Sequence, residues 1–143
     1  MVVYAESSSV LSWLFNEPRA AVVIEVLQAA DAVVASELTG VECARAIHRL
    51  ASRGLISRAQ AATLLLEFES AAAQWDRLEV RERVIGLASG PFPVEPVRAL
   101  DAIHLASVMV AREVWPELAV LSFDERVRAH ATALGCAVLP GAV

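Results

Sequence analysis

The sequence predicts an α/β protein, a three-layer α/β/α domain with a central parallel sheet of four to five strands. Short apolar runs alternate with longer segments of helical periodicity along the chain. Strands that are separated by helices pair in parallel and carry helices on both faces. The length of 143 residues, without an internal repeat, linker or low-complexity tract, is typical of one domain. We therefore expect a single domain over residues 1–143.

The first half of the chain predicts two strands and four helices. The apolar runs Val2–Ala5 and Ala32–Ala35 predict the strands. The serines after the first strand are natural N-caps, and Ser57 with Gln60 has the form of a capping box. The four helices are predicted around Val10, Leu11, Leu14 and Phe15, over Ala20–Ala30 with Pro18 as a first helical residue, from Ser36 to Gly54, and from Ser57 to about Ala73.

The second half of the chain contains a helix that is apolar on nearly every side, over Arg98–Glu113. Asp101 and His104 are the polar exceptions in its middle. Such a helix belongs in the interior, where a carboxylate costs on the order of several kcal/mol unless a partner or a metal compensates. Asp101 therefore favours function over structure. The other elements are predicted as strands over Leu78–Val80, Leu118–Leu121 and Cys136–Leu139, a short helix, a loop over Ser89–Pro96, and a helix over Asp124–Leu134 closed by Gly135.

The composition indicates a cytoplasmic protein with a protein partner. A hydrophobic fraction of 57% and a mean hydropathy of +0.53 are high for a monomer, so we expect some apolar surface to meet another chain. Trp13, Leu14 and Phe68 are candidates for that surface and equally for the core. No apolar run reaches the ~18 residues of a membrane helix, and the N-terminus lacks the basic region of a signal peptide. Cys43 and Cys136 lack metal-ligand spacing and are expected to be reduced.

The charge balance argues against one class of function. The net charge is −5 and the pI is near 5.2, whereas a plain electrostatic nucleic-acid binder is basic overall. An enzyme whose carboxylates hold divalent cations stays compatible with this balance, because the cations supply positive charge.

Four acidic residues are expected at one edge of the sheet. In an open parallel sheet, sites form beyond the carboxyl ends of the strands. Glu6 and Asp124 follow predicted strands, Asp101 lies in the first turn of the apolar helix, and Glu42 lies about one and a half turns into its own helix. Converging carboxylates repel one another unless divalent cations intervene, and oxygen ligands suit Mg²⁺ or Mn²⁺.

Two of these acids also have a structural interpretation at a turn or helix start. Asp124 can simply cap its helix, and Ser122 with Glu125 forms an alternative capping box there. Glu6 can be a turn residue. Neither position identifies a site by itself.

The remaining polar residues have equally plain alternatives. Glu42 shares a helix face with Arg45 and Arg49, so periodicity alone favours a solvated salt-bridge ladder. His104 is more often a hydrogen-bonded core or rim histidine than a metal ligand in such a setting.

Four segments in order resemble the PIN domains of VapC-type toxins: YAESSSVLSWLFNEP, VVASELTGVECARAIHR, RALDAIHLA and VLSFDERVRAHATALGCAVLP. The resemblance covers essentially the whole chain and implies a three-layer α/β/α PIN-like fold. It also implies metal-dependent cleavage of RNA by the toxin of a toxin–antitoxin pair, which forms a homodimer and is inhibited by a small antitoxin. The family's acids match Glu6, Glu42, Asp101 and Asp124, and Ser8 matches the residue that supports the first acid.

The sequence departs from the family pattern at the first acid. The family has aspartate at the end of the first strand, where this chain has Glu6, whose carboxylate sits one methylene further out. A longer side chain can still reach a metal, but it is held less tightly. The alternative to a nuclease is therefore a catalytically weak or inactive PIN-like module that binds RNA or protein.

The resulting expectation is a metal-dependent endoribonuclease of a type II toxin–antitoxin system. Glu6, Asp101 and Asp124 would hold Mg²⁺ or Mn²⁺, together with Glu42 either directly or through water. Candidate phosphate contacts near the rim are Arg45, Arg49 and Arg98. Another metal phosphohydrolase fold is not supported, because the chain has no D-x-D after the first strand and no P-loop.

Overall fold

Strands and helices alternate along residues 1–141, the part of the chain that the computed structural model describes. The strands are β1 (Val2–Ala5), β2 (Ala32–Ser36), β3 (Asp76–Leu78), β4 (Ala119–Leu121) and β5 (Val138–Leu139). The helices are α1 (Ser7–Leu14), α2 (Ala20–Ala29), α3 (Glu37–Ser52), α4 (Arg58–Ala72), α5 (Glu82–Ala88), α6 (Ala99–Val114) and α7 (Glu125–Ala133). The five strands form one sheet in the order β3-β2-β1-β4-β5, and every neighbouring pair is parallel. The predicted α/β/α fold class is confirmed.

Apolar side chains of the strands alternate between two layers of core. Tyr4 and Val120 pack with Leu105 of α6 in one layer. Ala5 and Val33 pack in the other, with residues of α1, α3 and α4. Because side chains on a strand point alternately to opposite faces, this arrangement requires helices on both sides of the sheet.

Two candidates for partner surface are core residues instead. Leu14 and Phe68 are 5% and 4% exposed and belong to the layer beneath α1, α3 and α4. Trp13 is half-buried against the same layer. Cys43 and Cys136 are buried and carry free thiols.

Element boundaries differ from the prediction at three places. β3 lies two residues earlier than predicted, because this edge strand is formed by the polar residues Asp76 and Arg77, which an apolar pattern does not reveal. Pro18 stands in the turn before α2 rather than inside the helix. β5 is limited to Val138 and Leu139, which pair with Val120 and Leu121 of β4.

The predicted helix ends at Ser57 and Gly54 are confirmed. The Ser57 side chain accepts from the Gln60 backbone N–H, and the Gln60 side chain accepts from the Ser57 N–H, which completes the capping box. Gly54 follows α3 with a φ of +67°, a left-handed conformation that glycine adopts without steric cost. No helix within residues 1–141 is long and apolar enough to cross a bilayer.

Candidate active site

A cleft of about 380 Å³ lies beyond the carboxyl ends of the central strands, and all four predicted acids line it. β1 is flanked by β2 on one side and β4 on the other, so the chain crosses over in opposite directions from this point. Such a switch point is where open parallel sheets form their binding sites. The lining comprises Glu6, Ser7, Ser8, Leu11, Glu42, Arg98, Ala99, Leu100, Asp101, His104, Asp124 and Arg126.

Glu6 is held at the bottom of the cleft by hydroxyl groups. The residue is 4% exposed, and its backbone N–H donates to the Leu121 carbonyl at 3.0 Å. Ser7 Oγ donates to Oε1 at 2.7 Å, and Ser122 Oγ donates to Oε2 at 2.7 Å. Oε2 also accepts from the Ser8 hydroxyl and, at 3.1 Å, from the Ser8 backbone N–H, which caps α1. Neutral hydrogen-bond donors thus compensate the burial of this carboxylate.

Ser8 connects the end of β1 to the start of α7. Its hydroxyl donates to Glu6 and accepts from the backbone N–H groups of Phe123 at 2.8 Å and Asp124 at 3.1 Å. One side chain therefore positions two of the acids relative to each other. Ser122 adds a second link, because its oxygen accepts from the Asp124 N–H at 3.1 Å while its proton goes to Glu6.

Glu42 points from α3 toward Glu6 and contacts Ser7 and His104. Its Oε1 lies 3.0 Å from Ser7 Oγ and 2.5 Å from His104 Nε2. The ion pairs within residues 1–141 do not join Glu42 to Arg45 or Arg49, so the salt-bridge ladder that periodicity favoured is absent from this part of the chain. Thr39, about one turn earlier, is buried and donates to the Ala5 carbonyl at the end of β1, so this face of α3 is directed toward the cleft.

His104 is buried and hydrogen-bonded through both ring nitrogens. Nδ1 lies 2.8 Å from the Tyr4 hydroxyl, and Nε2 meets Glu42. Burial and the negative charge of Glu6 raise the pKa of the Tyr4 phenol far above its usual value, so the phenol keeps its proton. Tyr4 can then donate to Nδ1, which leaves the imidazole proton on Nε2 to donate to Glu42. This series of hydrogen bonds has no signature in the sequence, because Tyr4 and His104 are 100 residues apart.

Asp101 and Asp124 are held by Arg126, a residue that the sequence analysis did not single out. Arg126 Nε lies 3.3 Å from Asp101 Oδ2, and Nη2 lies 2.8 Å from Asp124 Oδ2. Asp124 also caps α7, since its Oδ1 accepts from the Arg126 N–H at 2.8 Å. The capping interpretation of Asp124 and its place in the cleft are therefore both correct. The one available signal was the spacing of two residues between Asp124 and Arg126.

The three candidate phosphate-binding arginines occupy different places. Arg98 is exposed and lines the cleft at the N-cap of α6. Arg45 and Arg49 are exposed on α3 beyond Glu42 and are not part of the lining. Their role stays a prediction.

The donor set fits a divalent cation. The carboxylate oxygens of Glu6 and Glu42 lie within 4.8 Å of each other and of a ring nitrogen of His104. The carboxylates are the donors available to an ion, because both nitrogens of His104 are already hydrogen-bonded. Ser7 has one hydroxyl proton to share between the oxygens of Glu6 and Glu42, so one of the two carboxylates goes without it. Carboxylates that face each other with too few donors are stabilised by a hard cation such as Mg²⁺ or Mn²⁺. Asp101 and Asp124 lie outside this close group, on the side held by Arg126.

The negative charges of Glu6 and Glu42 also act on the nearby thiol of Cys43. Burial raises the pKa of Cys43 to about 12, and the charges of Glu42 and Glu6 add to the shift. A thiol with this environment stays protonated and is a packing residue rather than a nucleophile.

Comparison with known proteins identifies the family. The model of the PIN domain matches residues 3–139. Ribonuclease VapC35 of Mycobacterium tuberculosis is 36% identical over 109 residues, which cover 76% of this chain and 73% of that protein. Ribonuclease VapC46 of the same species is 33% identical over 138 residues, or 96% of this chain and 95% of the relative. The chain therefore belongs to the PIN domain family.

A solved structure supports the fold independently of sequence. The structure of FitAB bound to an IR36 DNA fragment contains a chain that superposes with a TM-score of 0.67, at 16% identity, over 97% of this chain and 94% of that one. At this identity the likeness concerns the fold alone.

Proposed function

We propose that this protein is a divalent-metal-dependent endoribonuclease and the toxin of a type II toxin–antitoxin pair. The observation that carries the proposal is the cleft itself, in which four carboxylates meet at the switch point of a PIN-family sheet. The relatives that share a third of its residues are named as ribonucleases, which supports RNA as the substrate.

The acids of the cleft would hold the cation. Glu6, Asp101 and Asp124 are the proposed ligands, and Glu42 would act directly or through a water molecule. Oxygen-only ligands suit Mg²⁺ or Mn²⁺. When bound, such an ion lowers the pKa of a coordinated water and neutralises charge on the phosphate oxygens.

Hydrogen bonds from the surrounding side chains orient two of these acids, Glu6 and Glu42. The hydroxyls of Ser7, Ser8 and Ser122 fix the carboxylate of Glu6 although its side chain is longer than the usual aspartate. The hydrogen bonds from Tyr4 through His104 fix the orientation of Glu42. Residues that orient metal ligands in this way influence affinity and activity without touching the ion.

The basic residues at the opening would receive the RNA backbone. Arg98 lines the cleft, and its guanidinium fork matches the geometry of a phosphate. Arg45 and Arg49 are exposed on α3 outside the cleft lining and are proposed as further phosphate contacts. An acidic protein can in this way bind a polyanion locally.

The test is cleavage of RNA by the purified protein with Mn²⁺ and with a chelator in its place. We expect cleavage with the ion, none with the chelator, and none by Asp101→Asn. Because water rather than the ribose 2′-hydroxyl is the proposed nucleophile, the products should lack 2′,3′-cyclic phosphate ends. RNA that is bound but never cut would instead support the non-catalytic binding module.

The proposed partner is a small antitoxin, encoded by the gene next to this one, whose C-terminal segment wraps the domain and blocks the cleft. An open apolar groove of about 530 Å³ between the ends of α1, α3 and α4 supports a protein partner. Leu50, Ile56 and Leu64 are among its lining residues. We also propose a homodimer and action in the cytoplasm. Co-expression with the neighbouring gene followed by pull-down tests the antitoxin, and a soluble, non-toxic chain without a partner in its host would contradict it.

A further inference from the structure

Arg126 joins two acids that come from different helices. Asp124 is two residues before it, so that contact is local to the start of α7. Asp101 is in the first turn of α6, 25 residues earlier in the chain. One guanidinium therefore fixes the distance between the two aspartates, and it does so from inside the cleft lining.

The bridge is accessible to water and is easily exchanged. The Arg126 side chain is 50% exposed, whereas the Asp101 and Asp124 side chains are 13% and 26% exposed. Ion pairs with one partner this open contribute little to stability, because solvent screens them and the long side chain loses freedom. The arginine can leave without disrupting the core.

A divalent cation bound by Asp101 and Asp124 removes the reason for the bridge. The two carboxylates then have their compensating charge, and a guanidinium beside a doubly charged ion is repelled. Arg126 and the ion therefore compete for the same oxygens. A guanidinium displaced from them remains at the wall of the cleft, where its planar fork matches a phosphate group.

We propose that Arg126 is a displaceable cation of the site. Without a divalent ion, Arg126 pairs with Asp101 and Asp124. It leaves them when the ion binds and then contacts the phosphate of the RNA. The inference rests on the proposed function, since it concerns the same cleft. It adds a phosphate-binding residue whose contact with RNA depends on occupancy of the site by the ion.

The test is Mn²⁺ affinity measured by calorimetry on wild type, Arg126→Gln and Arg83→Gln. The last variant is the matched control, because Arg83 makes a comparable pair with Glu113, at the far end of α6 from Asp101. We expect Arg126→Gln to bind Mn²⁺ about two- to five-fold more tightly, the range expected when solvent-exposed ion pairs such as these two are lost. The control should retain wild-type affinity. A purely structural role predicts the opposite sign, so equal or weaker binding by Arg126→Gln overturns the inference.

The phosphate contact has its own readout. Arg126→Gln should raise the KM for RNA at saturating Mn²⁺ while its Mn²⁺ affinity improves, and an unchanged KM would overturn this half of the inference. A wild type that neither binds Mn²⁺ nor cleaves RNA refutes the proposed function and the inference together. A wild type that does both, beside an Arg126→Gln variant of wild-type affinity, refutes the inference alone.

A second measurement avoids dependence on the folding of one variant. The Nε–H resonance of Arg126 can be assigned in wild type by its absence from Arg126→Lys. Addition of Mg²⁺, which is diamagnetic, should shift this resonance as the contacts to Asp101 and Asp124 break. A resonance that keeps its position at saturating Mg²⁺ would contradict displacement.

Discussion

The two sides of the cleft hold their carboxylates by different means. On one side, Glu6 and Glu42 receive hydrogen bonds from serine hydroxyls and from His104, all rooted in the core. On the other side, Asp101 and Asp124 share the guanidinium of an exposed arginine. We refer to these as the serine-held pair, Glu6 and Glu42, and the arginine-held pair, Asp101 and Asp124.

The difference shows how a site can be rigid and still open to an ion. Neutral donors orient the serine-held pair without cancelling its charge, so that side keeps its attraction for a cation. The arginine offsets one of the two negative charges of the other pair and can be exchanged for the ion. The orientation of Glu6 and Glu42 is fixed when the chain folds, whereas the proposed exchange of Arg126 for the ion takes place when the site binds metal.

The largest effect is expected from removing the negative charge of Glu6, a member of the serine-held pair. Glu6→Gln keeps the size of the side chain but loses the charge, and its amide N–H group faces donors where the carboxylate accepted hydrogen bonds. RNA cleavage should fall by at least about 100-fold. Glu6→Asp should retain partial activity or gain some, because the charge survives and only the reach changes.

The control for this prediction is Glu25→Gln, which removes one charge from the exposed face of α2. Circular dichroism of each variant separates lost chemistry from lost folding. Full activity in Glu6→Gln would show that Glu6 is a turn residue and would remove it from the site.

A smaller effect is expected from loosening the orientation of Glu42. Tyr4→Phe removes the hydroxyl that contacts His104 Nδ1 and leaves that buried nitrogen without its partner. Stability should fall by about 1–3 kcal/mol. Cleavage should fall on the order of 10-fold, the range expected for residues that orient metal ligands. Urea unfolding and cleavage rates measure the two effects, and an unchanged rate in a destabilised variant would limit Tyr4 to packing.

The smallest effect concerns Cys43, whose thiol is buried next to Glu42 and Glu6. The folded thiol has its pKa raised to about 12, whereas an unfolded thiol ionises near 9, so the unfolded chain loses its proton first. The free energy of unfolding should therefore be fully retained below about pH 9 and fall above it, by up to about 1.4 kcal/mol per pH unit. Cys43→Ala should lack this contribution. Urea titrations at pH 8, 9 and 10 compare the slopes, and parallel slopes would contradict the shift.

The fold and the position of Glu6 and Asp124 at the edge of the sheet could be predicted from the sequence, because both follow from short-range patterns. Apolar runs between helical segments predict a parallel sheet, and Glu6 and Asp124 stand at strand ends where such sheets form sites. Leu14 and Phe68 could not be assigned to core or surface, because an apolar side chain satisfies both patterns.

What the sequence could not predict are the contacts between distant residues. His104 meets Tyr4 across 100 positions, and Arg126 meets Asp101 across 25. Neither histidine nor arginine has a spacing rule that identifies such partners. The polar edge strand at Asp76 and Arg77 was placed two residues late for the same reason, because backbone pairing formed it rather than side-chain pattern.

The central claim is that the serine-held pair and the arginine-held pair serve one cation site. The measurement is the melting temperature of wild type, Glu6→Gln and Asp101→Asn with and without Mn²⁺, one variant from each side of the cleft. An ion that binds the folded state raises the melting temperature by mass action. We predict a clear rise in wild type and a smaller rise in both variants. A rise in either variant equal to that of wild type would remove its side from the site, and no rise in wild type would contradict the account as a whole.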